Sequence, residues 1–198
     1  RGIGGSSGPL DGLDLHMMAS DAASAARAET DRAIFAGHAF GSIVARTVSA
    51  DYPELTRGVV LIAAGAEKFP AHLSVSIDAL SNLELDREVR LDALQKTFFA
   101  SGHDPSPWLE GWHLTALAAQ RQARKRTVRD SWWSAGTAPI LDLIALQDPF
   151  RTEEYHDELS REFGNRVTVR FIDDASHALP DEKPAEVAAE IARFAAGL

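Results

Sequence analysis

The stretch Gly37-His38-Ala39-Phe40-Gly41 decides how this chain is read. It follows an apolar run, Arg32-Ala33-Ile34-Phe35-Ala36, and it opens an amphipathic one, Ser42 to Ser49. A glycine-bracketed pentapeptide between a strand and a helix is a sharp turn. Its outer positions must lack bulk, and its middle residue is held in a strained conformation with the side chain projecting outward. In the Gly-x-Ser-x-Gly form of this turn, the middle serine is a nucleophile. Here the middle residue is Ala39, whose methyl group cannot attack a carbonyl. The sequence shows the housing of a nucleophile without the nucleophile.

Working outward, the chain alternates between two periodicities. Residues 1–12 hold five glycines and a proline and read as turns. Leu13 to Glu29 reads as a helix, with Leu15, Met18, Ala19, Ala22 and Ala26 on one face. Arg32–Ala36 is a short strand, and Phe40–Tyr52 a helix stopped by Pro53. Gly58–Ala64 is apolar on both faces, as a strand of a covered parallel sheet must be. From Gly65 to Gly136 only helical patterns occur: Leu91, Leu94 and Phe98 at one spacing, then a helix from Trp108 to Arg126. The strand rhythm resumes with Ile140–Leu146, a helix Glu153–Phe163, a strand Val167–Ile172 and a last helix Pro184–Ala196.

This order predicts an α/β fold: a mostly parallel sheet with helices on both faces and a helical cap inserted between two strands. The expected division is 1–65 with 136–198 as the core and 66–135 as the cap. Ligands of such sheets sit at the carboxyl ends of the strands. That rule singles out the loops after Ala36, Ala64, Leu146 and Ile172. The first is the glycine turn. The third carries Gln147-Asp148-Pro149, and the fourth carries Asp173-Asp174-Ala175-Ser176-His177. The chain order is a small residue at a turn, then a carboxylate, then a histidine. Acyl transfer by serine needs these roles: a hydroxyl, an imidazole to take its proton, and a carboxylate to hold the imidazole in the right tautomer.

On these residues the sequence resembles the α/β-hydrolases, whose order is Ser…Asp…His. The resemblance covers essentially the whole chain. Arg1-Gly2-Ile3-Gly4-Gly5-Ser6 is similar to the family's Arg-Gly-x-Gly-x-Ser loop. Gly37–Gly41 is similar to its nucleophile turn, where a preceding histidine is common. Leu141 through Asp148 is similar to the strand ending in the acid. Ser176-His177-Ala178, followed by Pro180 and Pro184, is similar to the segment bearing the base.

The resemblance implies roles. Ala39 would hold the nucleophile position, Asp148 the acid and His177 the base, and the Phe40 backbone N–H would be one oxyanion donor. His38, Phe98, Trp108, Trp112, Trp132 and Trp133 are candidates to line the substrate site; the cap aromatics equally suit core packing. Asp142 competes with Asp148 as the acid but lies mid-strand, where a lone buried carboxylate is costly. Ala39 then reads as a removed serine, by substitution or by natural loss. The family's opening strands would precede Arg1, and their expected source is either a separate chain or upstream residues.

The expected activity is hydrolysis of an ester, lactone or similar acyl substrate of apolar character, in a form disabled at Ala39. Two alternatives stand beside it: a natural non-catalytic binder of small ligands, and a serine-independent reaction in the same pocket.

Composition narrows the partners. The 198 residues carry a formal net charge of −9, so the chain has no electrostatic footprint for nucleic acid or an anionic membrane. The basic cluster Arg121 to Arg129 reads as a solvated helix face. There are no cysteines, which excludes disulfides and thiolate metal sites. His16, His72, His103, His113 and His156 are scattered without metal-ligand spacing, so no metal and no cofactor is expected. No apolar run reaches the ~20 residues of a membrane span. The expectation is a cytoplasmic protein that binds a small apolar molecule, with a homo-oligomer left open.

Overall fold

The computed structural model describes residues 1–68, 72, 73, 77, 80, 82 and 84–198. Four strands, β1 (Ala33–His38), β2 (Thr56–Ile62), β3 (Ile140–Ala145) and β4 (Val167–Ile172), form one sheet in the order β1-β2-β3-β4. All three pairings are parallel. One row runs straight across the sheet, through Gly37, Leu61, Asp142 and Val169. The carboxyl ends of all four strands therefore share one edge, and the loops beyond it can build a common site.

Both faces of the sheet are covered, as the apolar run Val59-Val60-Leu61-Ile62 requires. Successive side chains of a strand point to opposite faces. Val59 and Leu61 pack on one side with Leu15, Ala45, Ile140 and Trp133. Val60 and Ile62 pack on the other with Leu141, Leu143, Leu179 and Val187. The first face is covered by α1 (Leu15–Arg27) and α2 (Phe40–Asp51). Asp14 caps α1, its carboxylate accepting the Met17 N–H at 2.8 Å. The second face is covered by the C-terminal helix.

Between β2 and β3, the described residues hold helices and no strand. They include α3 (Arg87–Phe98), capped by Asp86, and α4 (Leu114–Arg126). Positions 69–71, 74–76, 78, 79, 81 and 83 of the expected cap lie outside the described residues. The described residues of the segment pack in two places. Leu94, Phe98, Phe99 and Leu109 form a cluster that touches the core at Phe150 and Ala178. Ala123, Trp132 and Trp133 join the core beside α1 and β2.

Two expected helices are shorter than their apolar spacing suggests. The helix expected over Trp108–Arg126 is interrupted: Ser106–Leu109 is a 3₁₀ turn, Gly111 takes a φ of 83°, and α4 starts only at Leu114. A glycine in the left-handed region ends a helix because it lets the chain leave the helical path at little cost. Glu153–Phe163 divides in the same way, into a 3₁₀ turn at Glu153–Tyr155 and α5 (Glu158–Phe163). After β4 come α6 (Leu179–Glu182) and α7 (Pro184–Ala196).

The basic cluster is less solvated than expected. The Arg124 guanidinium lies 4.7 Å from the Trp132 ring centroid and that of Arg129 4.2 Å from Trp133. Arg126 donates to the Leu13 carbonyl at 3.3 Å. Planar guanidinium groups stack on aromatic faces, so the cluster clamps α4 to the core.

Asp142 is buried but not lone. Arg151 Nη2 donates to its Oδ2 at 2.9 Å, with both side chains at 1% exposure or less. Burial raises the Asp142 pKa, while the guanidinium groups of Arg151 and Arg46 oppose that shift. Burial also lowers Arg46, to about 10. The carboxylate that competed for the acid role is thus committed to a buried ion pair.

Candidate active site

The glycine turn has the strained geometry its sequence suggests. Ala39 sits at φ 50° and ψ −117°, between the end of β1 and the start of α2. Few non-glycine residues adopt a positive φ, and such a position costs about 1–3 kcal/mol. The Ala39 N–H donates to the Ile62 carbonyl at 3.0 Å, which ties the turn to the neighbouring strand. The two bracketing glycines differ. A Cβ on Gly37 would fall 2.1 Å from the Gly41 carbonyl oxygen, so no side chain fits there. A Cβ on Gly41 would meet nothing within 4 Å, so the expectation that both positions are forced by packing holds only for Gly37.

The Phe40 N–H is the first donor of α2 and has no acceptor among the described residues. The first N–H groups of a helix lack intrahelical partners and carry the positive end of its dipole. Ala39, Phe40 and Gly41 open onto a groove of about 490 Å³, walled by Met18, Phe35, Val44 and Gln120.

Asp148 and His177 meet after β3 and β4. His177 Nδ1 lies 2.9 Å from Asp148 Oδ2, and the two residues are 7% and 3% exposed. The other carboxylate oxygen accepts the Phe150 N–H at 2.8 Å. With Nδ1–H donating to the carboxylate, the Nε2 lone pair of a neutral imidazole is left to accept a proton.

Aromatic rings enclose this imidazole. The centroid of Phe150 is 4.3 Å away, that of His38 5.5 Å and that of Phe98 5.6 Å. Trp108 lies behind them, 5.4 Å from Phe98 and 6.2 Å from His38, and Trp112 is 6.3 Å from Phe98. His38 and Phe98 therefore sit against His177, and Trp108 and Trp112 pack behind Phe98. A second groove, of about 340 Å³, runs along the segment between β2 and β3, past Trp108, Trp112 and Leu117 to Gln120, which also lines the groove at Ala39.

Trp132 and Trp133 are not brought to this site. Both are buried, 5.8 Å apart, in the core beside α1, with the Arg46 guanidinium 4.3 Å from the Trp133 ring. Their correction follows from the guanidinium groups that stack on them, which sequence spacing does not reveal.

One residue of the site, and one contact of another, escaped sequence reasoning. His38 was expected beside the turn, but its contact was not: its Nε2 lies 2.6 Å from the His177 carbonyl oxygen. Phe150 went unnoticed altogether. It lies two residues past Asp148, and that spacing is the signal that could have found it. Burial lowers the His38 pKa first, and the neighbouring His177 second.

The fold agrees with what sequence comparison finds. The chain matches the alpha/beta hydrolase family over residues 1–190, and it belongs to that family. No curated protein sequence matches it. Among solved structures, it resembles an esterase of Thermogutta terrifontis solved with malate bound, at 18% identity and a TM-score of 0.77 over 100% of this chain and 77% of that one. It resembles a bacterial membrane phospholipase A described as a virulence factor, at 23% identity and a TM-score of 0.75 over 100% and 68%. An enzyme degrading N-acyl homoserine lactones matches at 21% identity and a TM-score of 0.71 over 98% and 80%. At such identities the likeness is one of fold.

Proposed function

We propose that this chain carries the base and acid of a serine-hydrolase site, with Ala39 standing where the nucleophile would be. The substrate class is an ester, lactone or related acyl compound with an apolar portion. The observation that carries this reading is the buried His177–Asp148 pair, at 2.9 Å, on the same sheet edge as the strained turn at Ala39. Esterase, phospholipase and lactone-degrading neighbours share the fold and support the same class of substrate.

In the proposed reaction, a serine at position 39 loses its proton to His177 Nε2 as it attacks the acyl carbon. Asp148 stabilises the imidazolium through Nδ1. The Phe40 N–H faces the oxyanion. His177 returns the proton to the leaving alkoxide and then activates the water that releases the acid. Phe98, Trp108 and Trp112 hold the apolar part of the substrate. Residues 66–135 would then be the lid, and 1–65 with 136–198 the catalytic platform.

As it stands, with alanine at position 39, the chain binds such compounds and does not cleave them. The test is Ala39→Ser, assayed against p-nitrophenyl short-chain esters and a panel of lactones. Turnover should appear, and adding His177→Ala should lower it by about 10²–10⁴-fold. An Ala39→Ser chain that is folded but inert across the whole panel overturns the reading.

A further inference from the structure

The segment bearing His177 is held from both sides, and one carboxylate does much of the holding. Glu182, the last residue of α6, accepts the Ser176 N–H on Oε2 at 2.7 Å and the Ala100 N–H on Oε1 at 2.6 Å. Ser176 immediately precedes His177. Ala100 lies just past the end of α3, two residues after Phe98, whose ring is 5.6 Å from the imidazole. Ala178, which follows His177, donates its N–H to the Phe98 carbonyl at 2.8 Å. Next to Glu182, Asp181 accepts the Trp108 indole N–H at 3.0 Å. The loop carrying the imidazole and the aromatic wall over it are therefore fastened to each other through Glu182, Asp181 and one backbone bond.

From this geometry we infer that Glu182 is the positioning residue of His177. It fixes the imidazole on Asp148 and couples that placement to the seating of Phe98 and Trp108. The inference rests on the reading of His177 as the base. The chemistry demands a carboxylate. Two backbone N–H groups face it, and each can only donate. A carboxylate presents two acceptors and makes charge-assisted bonds, which are stronger than neutral ones. An amide of the same shape would turn an NH₂ toward one of those donors and lose that bond. Ala100 and Ser176 would then no longer be held to a common point.

A substrate that displaces Phe98 or Trp108 on entering pulls on the same carboxylate that sets the imidazole. Glu182 thereby makes the fit of the apolar wall count toward the alignment of the base. Misplacing a catalytic group by about 1 Å costs on the order of 10²-fold in rate.

The test uses the Ala39 chain itself, labelled with ¹⁵N, and follows the His177 imidazole by NMR. Its Nδ1–H resonance and titration are compared between parent, Glu182→Gln and Glu182→Asp. The charged and titratable groups near this ring or its loop are Asp148, His38, Asp173, Asp181, Glu182, and the Asp174–Lys183–His103 group. None of the others is changed. Glu182→Gln should move the His177 resonance and its titration midpoint, while His16 and His156, which contact none of these residues, stay where they are. Glu182→Asp, which keeps both acceptors on a shorter arm, should bring the signal part of the way back. In the Ala39→Ser background, Glu182→Gln should lower kcat by about 10- to 100-fold with KM changed less than about threefold. An unmoved His177 in Glu182→Gln overturns the inference, even if the variant melts at a lower temperature. If Glu182→Gln does not fold, an unmoved His177 in Glu182→Asp does the same. An Ala39→Ser chain that is inert with Glu182 intact counts against the serine reading alone, because the NMR comparison does not depend on turnover.

Discussion

The imidazole of His38 lies with Nε2 2.6 Å from the carbonyl oxygen of His177, so the residue beside the strained turn is joined directly to the backbone of the loop after β4. A carbonyl only accepts, so the proton of a neutral His38 must sit on Nε2. Burial keeps His38 neutral at pH values where an unfolded histidine is already charged. The sign follows directly. A depressed native pKa means that the unfolded chain takes up the proton first, so stability is intact above about pH 6.5 and falls as the pH drops below it. Thermal melts of His38→Gln should lose stability less steeply than the parent between about pH 6.5 and 5. Parallel acid limbs in the two proteins would contradict this.

Gly37 and Gly41 bracket the same turn with opposite tolerance. Gly37→Ala forces a methyl group to within 2.1 Å of the Gly41 carbonyl, which neither backbone can relieve. Overpacking of this kind should cost about 3 kcal/mol or more in urea unfolding. Gly41→Ala adds a methyl group in open space, inside the first turn of α2, and should be neutral or stabilising by a few tenths of a kcal/mol. Equal losses from both would show that the turn is not built this way.

Ala39 itself is strained. At φ 50° it occupies a region that glycine enters freely. Ala39→Gly should therefore raise stability by up to about 1 kcal/mol, after the entropy gained by the unfolded chain is allowed for. The midpoint of chemical denaturation reads this directly; a lower midpoint would mean that the methyl group contributes more by packing than it costs in strain.

Arg151 and Asp142 form a pair that water does not reach. Arg151 also donates to the Tyr155 carbonyl at 2.8 Å, so the side chain pins the loop that carries Asp148 to β3. Arg151→Met should destabilise the protein by about 3–5 kcal/mol, because it strands a buried carboxylate. Restoring neutrality with Asp142→Asn in the same chain should recover part of that loss. A double variant as unstable as the single one would mean that the tether to Tyr155, and not the charge, is what matters.

Much of the fold could be read along the chain. Val59 to Ile62 is apolar at every position, which only a strand covered on both faces satisfies. Val167–Ile172 and Pro184–Ala196 are found where their periodicity places them. The break at Gly111 was harder to see, because Trp108 and Trp112 keep a helical spacing across it. Periodicity is blind to a single left-handed residue.

By itself, the sequence determined the class of fold and the order of the loops. Both depend on local periodicity and on glycines that must turn the chain where they stand. It also determined that position 39 offers no nucleophile. Only the tertiary structure decided which carboxylate meets His177, since Asp142 and Asp148 lie six residues apart on one strand and its loop. The separation came from Arg151, which holds Asp142 in the core and leaves Asp148 to face the imidazole. It likewise decided which tryptophans approach the site, because burial against guanidinium groups depends on contacts far apart in the chain. The turn at Gly37–Gly41 was legible because its strain is local. The tie from His38 to His177 was not, because it spans 139 positions and exists only once the sheet has brought the ends of β1 and β4 to one edge.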